Sequence, residues 1–461
     1  MSGIIYQTQR ELLSRLFTSG MQSYASVAAK LPSLPKRRQH SLPALPPDLA
    51  EFNPLANECF QHPYEFYRTL RDRYPIYQLP NGVWCISRYH DIVKVSRDTD
   101  TFSSQHQGVV ANLKPGQDLL KQVKRFDHLT QLGIIPADVL ATSDPPLHTS
   151  ERKVGHAGLG ARYVQSLEKE VTELCHQLLD EFMAAGNVEF MQGFAWRLPM
   201  QLIIKLLGLP QADFVKIKAW CVTILESQNG IQNSYQLARS YAAALTFLRY
   251  CWRQYLQAKK QPADNLLGVL TKAAADPNSD FDDRKAVSAV FQLIIAGSDS
   301  SATTMGNAIK LLIENPDLYR QLQNDPQKIP AFIEEVFRLE SAFQGHFRWT
   351  RQDAQLQNTI IPKGSRLFLM WASGNRDERF WDNPDELIIG RANGKKHLTF
   401  GHGVHACLGR ELARMEIRVV LTAFLARTQN LRIIGDTPYV ASMFARTLVR
   451  LPIAFEPKST Q

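Results

Sequence analysis

Residues 397–421 read HLTFGHGVHACLGRELARMEIRVVL, a glycine-rich loop that leads into an amphipathic helix. Gly401, Gly403 and Gly409 give this loop a backbone that can turn tightly and approach a flat ligand closely. Cys407 stands between the loop and the helix, whose apolar positions have core spacing: Leu408, Leu412, Met415, Val419 and Leu421. The free N–H groups and the dipole of a helix N-terminus favour the thiolate form of a cysteine. The stretch therefore predicts a thiolate able to bind a metal.

Three interpretations of Cys407 follow from these residues alone. A single cysteine is most often a small, buried, apolar residue. A zinc site with His402 and His405 is the second interpretation, although no further group of ligands completes a tetrahedron. A catalytic nucleophile is the third, but it needs a histidine oriented by another group and leaves the glycines unexplained.

The segment FGHGVHACLG, residues 400–409, resembles the haem-binding signature of the cytochrome P450 superfamily. The flanking HLTFG and LARME are similar to the soluble bacterial branch of that family. The resemblance implies haem b as the cofactor, with the Cys407 thiolate as the axial iron ligand. It also assigns Phe400, Gly401 and Gly409 to the cofactor site.

Two further segments resemble the family regions that hold the haem propionates. DPPLHTSERK, residues 144–153, supplies His148 and Arg152, which would face the same way on a helix. The resemblance adds Arg348, from FRWTRQD, and His405 as further propionate contacts. A plain surface pair is the alternative interpretation of His148 and Arg152.

The segment EEVFR contains Glu335 and Arg338, which match the Glu-x-x-Arg helix motif of the family. Any helix yields such a pair often, so the motif is informative only through its position ahead of residues 397–409, the cysteine loop. NRDERFWDNPDELIIGR, residues 375–391, fills the gap and resembles the family's meander. Arg391 is predicted to join Glu335 and Arg338 in a buried ion network that orders the cysteine loop.

AVFQLIIAGSDSSATTMGNAIKLLIENP, residues 289–316, resembles the long helix on the distal side of the haem. Asp299 and Ser300 occupy the family's acid–alcohol pair, which relays protons for the reduction of dioxygen from one distorted helical turn. The alternative is an ordinary helix in which both side chains bond to the backbone. Family peroxygenases carry Arg–Pro at this pair, so Asp299 and Ser300 favour the use of dioxygen.

The sequence departs from the family at Ser300, where threonine is common. Serine keeps the hydroxyl but lacks the methyl group that restricts χ1. We expect retained activity with looser coupling of oxygen reduction to product.

The resemblance covers the chain from about residue 63 to 457 and implies one domain, residues 48–461, that is mainly α with a small β portion. Helical periodicity agrees with this, and it predicts helices over 162–184, 196–207, 232–259 and 284–314. Short strands are predicted near 357–361, 366–370, 431–435 and 447–454. Residues 105–143 are irregular in pattern.

Residues 1–47 form a basic, proline-rich leader with three interpretations. Its apolar positions Ile5, Leu12, Leu13, Leu16 and Phe17 suit a short helix ahead of LPSLPKRRQHSLPALPP. A loosely ordered leader is the plainest interpretation. A helix that touches a membrane surface and an organelle presequence are the others.

Composition excludes several classes of protein. With 44% hydrophobic and 21% charged residues in 461, the chain is neither disordered nor fibrous. Its apolar runs are much shorter than the ~18 residues of a membrane-spanning helix. The six cysteines are scattered without a CxxC pair, which is typical of reduced thiols in a cytoplasmic protein.

The function that the resemblance implies is a haem-thiolate monooxygenase, which inserts one atom of dioxygen into an apolar organic substrate. A terpenoid, steroid, fatty acid or macrolide-like molecule suits the largely apolar or aromatic pocket regions. Besides parts of 105–143, these regions contribute Ile295, Ala296, Phe343, Gln344, His346, Phe347, Met443 and Phe444. Gln344 and His346 are the candidate polar anchors. A haem sensor or carrier without turnover, and a zinc protein without haem, are the rival functions.

The net charge of +9 admits nucleic acid, an anionic membrane or an acidic protein as partner. The position of the charge favours the protein, since the resemblance places part of the excess on the family's electron-entry face. Residues 1–40 hold six basic residues and one acidic residue, residues 391–418 hold six and two, and the remainder is balanced. Because no reductase sequence follows, we expect electrons from a ferredoxin and its reductase. The candidate docking cations for an acidic ferredoxin are Lys395, Lys396, Arg410, Arg414 and Arg418.

Overall fold

The computed structural model describes residues 14–16, 18–23, 46–50, 52, 57–105, 136–226 and 234–458. Most of the predicted leader, and residues 106–135 of the irregular segment, lie outside these residues. Within the described residues no helix is both long enough and apolar enough to span a bilayer.

Helices dominate the described chain. The first eight are α1 (Pro47–Ala50), α2 (Asn57–Gln61), α3 (Tyr64–Arg73), α4 (Tyr89–Arg97), α5 (Leu147–Leu159), α6 (Ala161–Ser166), α7 (Glu168–Met183) and α8 (Arg197–Leu206). The next eight are α9 (Phe214–Glu226), α10 (Ser234–Lys260), α11 (Leu266–Ala274), α12 (Asp283–Glu314), α13 (Pro316–Asn324), α14 (Ile329–Leu339), α15 (Trp371–Gly374) and α16 (Arg410–Arg427). The predicted class, mainly α with a small β portion, is confirmed.

The strands are short. They are β1 (Ile76–Gln78), β2 (Trp84–Ile86), β3 (Phe102–Ser103), β4 (Asn187–Glu189), β5 (His346–Thr350), β6 (Ala354–Leu356), β7 (Thr359–Ile361), β8 (Arg366–Leu369), β9 (Thr428–Ile433) and β10 (Pro452–Pro457). Five of them form a sheet in the order β1-β2-β8-β5-β3, three form a sheet in the order β4-β10-β9, and β6 pairs with β7.

Most of the helices and strands that were predicted from hydrophobic periodicity are present. Helices α8, α10 and α12 match the predicted ranges within two residues. The predicted helix 162–184 is interrupted at Leu167, which separates α6 from α7. Strands β9 and β10 are displaced from their predicted ranges by a few residues, as is common for element boundaries.

The chain divides into two compact units. The first unit contains residues 103–158 and 203–295, in which α9 packs against α10 and α10 against α11. Its core includes an aromatic group in which the Phe247 ring lies 5.6 Å from Trp220 and 5.1 Å from Phe291. The second unit contains residues 44–102, 159–202 and 296–461, and it holds the cysteine loop.

The larger sheet of the second unit is buried on both faces. Pairing of Cys85 and Phe347 with Phe368 places these three on one face, which packs with Phe66 and Leu70 of α3. We call this the α3 face. The opposite face packs with α4, through Ile86, Leu367, Leu369, Ile92 and Val95. Period-two alternation along β8 therefore divides its side chains between two separate clusters.

Asn375, which follows α15, joins three segments of the second unit. It is fully buried, and its Nδ2 donates to Ser341 Oγ and Thr399 Oγ1, both at 2.9 Å. Its Oδ1 accepts from the Leu398 backbone N–H at 2.6 Å. The end of α14 and the first residues of the cysteine loop are thus held by one amide.

Replacement of Asn375 by alanine is expected to lower the free energy of unfolding by about 2–4 kcal/mol, because three buried partners lose their hydrogen bonds. Asn393→Ala is the matched control, since its half-buried amide makes a single 3.4 Å bond to the Phe380 carbonyl. Urea denaturation followed by tryptophan fluorescence measures both. Equal losses in the two variants would show that Asn375 has no special linking role.

Candidate functional site

The cysteine loop, residues 397–409, is closed by its own backbone. The Cys407 N–H donates to the Phe400 carbonyl at 2.7 Å. Gly401 and Gly403 have φ values of +69° and +72°, and a Cβ at Gly403 would lie 2.6 Å from the Ser96 carbonyl oxygen of α4. Gly409 has an ordinary φ of −87° and no neighbour within 4 Å of a Cβ. Tight turning therefore explains Gly401 and Gly403 but not Gly409.

Cys407 differs from the other cysteines in its surroundings. All six are described and none forms a disulfide; five are buried, whereas Cys407 is half-buried. Burial raises the pKa of the Cys59 thiol to about 11 and those of Cys85 and Cys175 to about 12. Those thiols stay protonated and inert, so Cys407 is the candidate for thiolate chemistry.

The donor set fits a haem and does not fit zinc. Within the part of the chain that the structure describes, no three His, Cys, Asp or Glu side chains are grouped as a metal site. The zinc interpretation with His402 and His405 is therefore wrong. A haem would need only one strong ligand from this loop, because the porphyrin itself would supply nitrogen donors to the iron. A single half-buried thiol on a closed loop meets that need.

Glu335 is the centre of the predicted ion network. Its two carboxylate oxygens accept from Arg338 Nε at 2.7 Å and Nη2 at 2.8 Å, and from Arg391 Nε at 3.2 and 3.3 Å. The Ile388 backbone N–H donates to the same carboxylate at 3.0 Å. These donors hold the pKa of Glu335 below its usual value although burial opposes this.

Arg338 extends the same network into the 375–391 segment. It is fully buried and donates to the backbone carbonyls of Asn375, Pro384 and Glu386. The network therefore anchors α14 to the segment that precedes the cysteine loop.

A second cluster lies directly beside the loop and was not predicted. The buried Glu334 carboxylate accepts from Arg414 Nε at 2.7 Å and Nη2 at 3.0 Å, and its Oε2 lies 3.2 Å from His397 Nε2. The Arg414 guanidinium also lies over the Phe400 ring, 4.8 Å from its centroid. Although burial opposes it, these partners lower the pKa of Glu334 to about 2, so the cluster holds an ionised carboxylate at neutral pH.

Asp299 and Ser300 lie on an unbroken helix, and the distorted turn expected there is absent from α12. The Ser300 hydroxyl donates to the Ala296 carbonyl at 2.8 Å, which is the backbone bonding of the alternative interpretation. Asp299 is buried, and this desolvation raises the pKa of its carboxyl to about 7. The pair thus combines a carboxyl that titrates near neutrality with a neighbouring hydroxyl.

A second carboxyl with an unusual pKa, that of Glu416 on α16, is bound to Ser301, the residue that follows Ser300 on α12. The Ser301 hydroxyl donates to Glu416 Oε2 of α16 at 2.6 Å. Glu416 is 2% exposed, and burial raises the pKa of its carboxyl to about 8 despite the hydrogen bond from Ser301. This contact joins α12 to the helix that begins behind Cys407.

Two of the four predicted propionate contacts lie in the first compact unit and two lie in the second. His148 and Arg152 lie on consecutive turns of α5 in the first unit, with His148 buried and Arg152 half-buried. Arg348 is buried on β5, where its Nη1 donates to the Phe347 carbonyl at 2.8 Å, and His405 is half-buried in the loop. Arg348 and His405 belong to the second unit. Their roles toward a haem stay a prediction.

The structure groups most of the predicted pocket residues. The Phe444 ring lies 4.8 Å from Phe343, 6.5 Å from Phe347 and 6.0 Å from His346. Met443 is half-buried in the same cluster, Ala296 is exposed on α12, and Ile295 belongs to the first unit.

Gln344, a predicted polar anchor, makes two internal hydrogen bonds. It accepts from the Tyr67 hydroxyl at 2.6 Å and donates to the Ser442 carbonyl at 3.3 Å. Gln344 is 1% exposed, and its role as a polar anchor for substrate stays a prediction.

The predicted docking cations separate into two groups. Lys395 and Lys396 are exposed, and no carboxylate lies within 4 Å of either among the described residues. Arg410 is also exposed and lies 3.4 Å from Glu411. Arg414 pairs with Glu334 and Arg418 pairs with Glu168. Both were predicted as docking cations, but each has its charge compensated by a carboxylate.

Sequence reasoning missed four residues that shape the site: Glu334, Asn375, His397 and Glu416. All four lie within motifs that resemble the family, namely EEVFR, NRDERF, HLTFG and LARME. A carboxylate next to Glu335 and a carboxylate within an apolar helical pattern were the available signals. Their hydrogen-bond partners are distant in sequence, so the sequence alone could not predict which residues pair.

Comparisons with known proteins agree with this geometry. The family model described as Cytochrome P450 matches residues 183–429. Cytochrome P450 144 of Mycobacterium tuberculosis is 31% identical over 400 residues, which cover 87% of this chain and 90% of that protein. The structure of cytochrome P450 CYP109Q5 from Chondromyces apiculatus is 27% identical, with a TM-score of 0.75 over 88% of this chain and 98% of that one.

A further solved structure is similar to the same extent. P450BioI, in complex with hexadec-9Z-enoic acid ligated acyl carrier protein, is 25% identical, with a TM-score of 0.77 over 87% of this chain and 99% of that one. Cysteine loop, buried ion network and long helix thus occur in a chain that resembles P450 proteins over nearly its whole described length. The chain belongs to the cytochrome P450 family, and it is a monooxygenase of that family.

Proposed function

We propose that Cys407 is the iron ligand of a haem monooxygenase that acts on an apolar organic substrate with electrons from separate redox proteins. The half-buried Cys407 thiol on its closed loop is the observation that carries this proposal, because the other five thiols are buried. The haem, when bound, supplies the activation of dioxygen, and the protein supplies ligation, protons and a shaped apolar site.

Fixing of the loop is the first contribution of the protein. The Cys407 N–H is bound to Phe400, and Phe400 packs against Phe337 of α14 with ring centroids 4.6 Å apart. Phe400 is also capped by Arg414, whose charge is balanced by Glu334. A ligand held this rigidly presents its sulfur in one orientation, which a tuned metal centre requires.

Proton supply is the second contribution. A carboxyl with a pKa of about 7, as Asp299 has, can both hold and release a proton at neutral pH. Although the Ser300 hydroxyl donates to Ala296, its oxygen can still accept a hydrogen bond from water. Glu416, with a pKa of about 8, is mainly protonated at pH 7 and holds a proton beside Ser301.

The aromatic group around Phe444 supports an apolar substrate. Phe343, Phe347 and Phe444 form a row of rings on the α3 face, where long or fused apolar molecules pack well. The relative P450BioI is complexed with an acyl carrier protein that bears a C16 acyl chain, which supports acyl-chain substrates in particular.

An acidic ferredoxin is the proposed electron donor, and Lys395 and Lys396 are its proposed docking residues. Both are exposed next to the cysteine loop, without a carboxylate within 4 Å among the described residues, and Arg410 adds a partly compensated charge. Steering by such charges raises the association rate more than the affinity.

Residues 1–47 remain a proposed membrane-surface contact, outside the described part of the chain.

Replacement of Cys407 by serine is expected to abolish the strongly red-shifted Soret band of the reduced CO complex, because that shift needs a thiolate ligand. Cys175→Ala, at a buried thiol with a pKa of about 12, should keep the band. Absorption spectra of the purified holoproteins decide the matter. A red-shifted band in Cys407→Ser would exclude Cys407 as the ligand.

Reversal of charge at Lys395 and Lys396 is expected to slow reduction by the ferredoxin about 3- to 10-fold at low ionic strength, with the difference vanishing at high salt. Substrate binding should be unchanged. Stopped-flow reduction compares this double variant with Lys272→Glu/Lys363→Glu, a control at two other exposed lysines. Equal slowing in both double variants would refute a local docking site.

Glu416→Gln is expected to gain stability relative to the wild type as pH rises. The unfolded glutamate loses its proton near pH 4.5, whereas the folded one keeps it to about pH 8, so wild-type stability falls across this window. The variant's advantage should grow by up to about 3 kcal/mol between pH 5 and pH 8. Urea denaturation at both pH values measures it, with the exposed Glu411→Gln as control. A pH-independent difference would contradict the raised pKa.

A further inference from the structure

Arg366, the first residue of β8, carries a charge that no acidic side chain compensates. Among the described residues no carboxylate lies within 4 Å of its guanidinium, and its Nε is shielded from solvent without a hydrogen-bond partner. Its contact is the Phe347 ring, whose centroid lies 3.8 Å from the guanidinium carbon. The buried arginines Arg338, Arg376 and Arg446, in contrast, each meet a glutamate or aspartate.

A partly buried guanidinium without an anionic partner lowers the stability of the fold. Desolvation lowers the pKa of Arg366 to about 10, which leaves the group protonated at neutral pH. A partly buried charge is retained in proteins mostly where it is paired or used. The guanidinium stacks on an aromatic ring, and stacking leaves its edge free to receive a planar anion.

The position of Arg366 in the sheet gives its surroundings. It lies two residues before Phe368 and opposite Trp349 of β5, so all three belong to the α3 face. Trp349 Nε1 is likewise shielded and has no hydrogen-bond partner. Two unused donors, one of them charged, therefore lie side by side at one end of the aromatic row.

The row continues from this polar end into the apolar group. The centroid of the Phe347 ring lies 4.9 Å from that of Phe368 and 6.5 Å from that of Phe444. The Phe444 and Phe343 centroids are 4.8 Å apart. A charge at one end of an apolar row matches a molecule that has one anionic end and a long apolar body.

We infer that Arg366, with the Trp349 indole N–H beside it, binds the carboxylate of an amphiphilic substrate whose apolar chain lies along Phe347 and Phe444. The single positive charge of Arg366 balances the one negative charge of a carboxylate, whereas a phosphate dianion would keep an uncompensated negative charge in a desolvated place. The inference rests on the proposed function, and it narrows the substrate class to long-chain carboxylic acids.

The test uses ligand-induced Soret shifts of the holoenzyme. Straight-chain fatty acids are titrated beside the primary alcohols of equal length. The wild type is expected to bind each acid at least 10-fold more tightly than its alcohol. Arg366→Gln should weaken acid binding about 10- to 100-fold and leave alcohol binding within about twofold. Lys363→Gln, at an exposed cation in the turn before β8, should change neither.

Two further variants separate binding from structure. Arg366→Lys keeps the charge without the planar fork, so it should recover part of the acid preference. Arg366→Met removes a desolvated charge and should unfold at a higher temperature than the wild type without ligand, whereas a structural arginine would lose stability.

The outcomes distinguish this inference from the proposed function. Alcohol binding with no preference for the acid, or an acid preference that survives Arg366→Gln, overturns the carboxylate site alone. Failure of acids and alcohols alike to shift the Soret band overturns the apolar-substrate proposal, and the carboxylate site with it.

Discussion

Burial of the Glu335 carboxylate is the constraint on which the cysteine loop depends. An ionised carboxylate shielded from water must be surrounded by donors, and here these are Arg338, Arg391 and the Ile388 N–H. The arginines then require acceptors of their own, which the carbonyls of the 375–391 segment provide. One buried charge thereby fixes a segment without regular secondary structure against α14.

The loop inherits this order through neutral hydrogen bonds. Asn375 stands at the start of the fixed segment and binds both Thr399 and the Leu398 N–H. The Glu334–Arg414 pair approaches the same loop from the helix that follows it, and Arg414 covers Phe400. Cys407 is thus held by its own N–H bond to the Phe400 carbonyl, within a loop that is fixed from the preceding segment and from the following helix.

Three groups in the second unit differ from the Glu335 network, because burial shifts the pKa of each in favour of its neutral form and no opposite charge offsets the shift. Asp299 and Glu416 hold protons that exposed carboxyls would lose, and Arg366 keeps a charge without an acidic partner. Each costs stability, whereas the Glu335 network satisfies its charges. Compensated charges build the scaffold, and the uncompensated groups are the ones to which we assign proposed roles in proton supply and ligand binding.

Local spacing was enough to predict much of this molecule. The pattern around Cys407 indicated the family, and helical periodicity located α8, α10 and α12, because both depend on residues within a few turns of each other. The left-handed conformations of Gly401 and Gly403 also follow from local chemistry.

Pairing between distant residues was decided only by the tertiary structure. Arg414 resembles any exposed basic residue until Glu334, 80 positions away, is placed beside it, and the hydrogen bond from Tyr67 to Gln344 likewise joins residues that are distant in sequence. The pKa values of Asp299 and Glu416 likewise depend on which side chains exclude water. A motif records backbone conformation and short-range spacing, whereas charge compensation and desolvation arise from neighbours that the fold brings together.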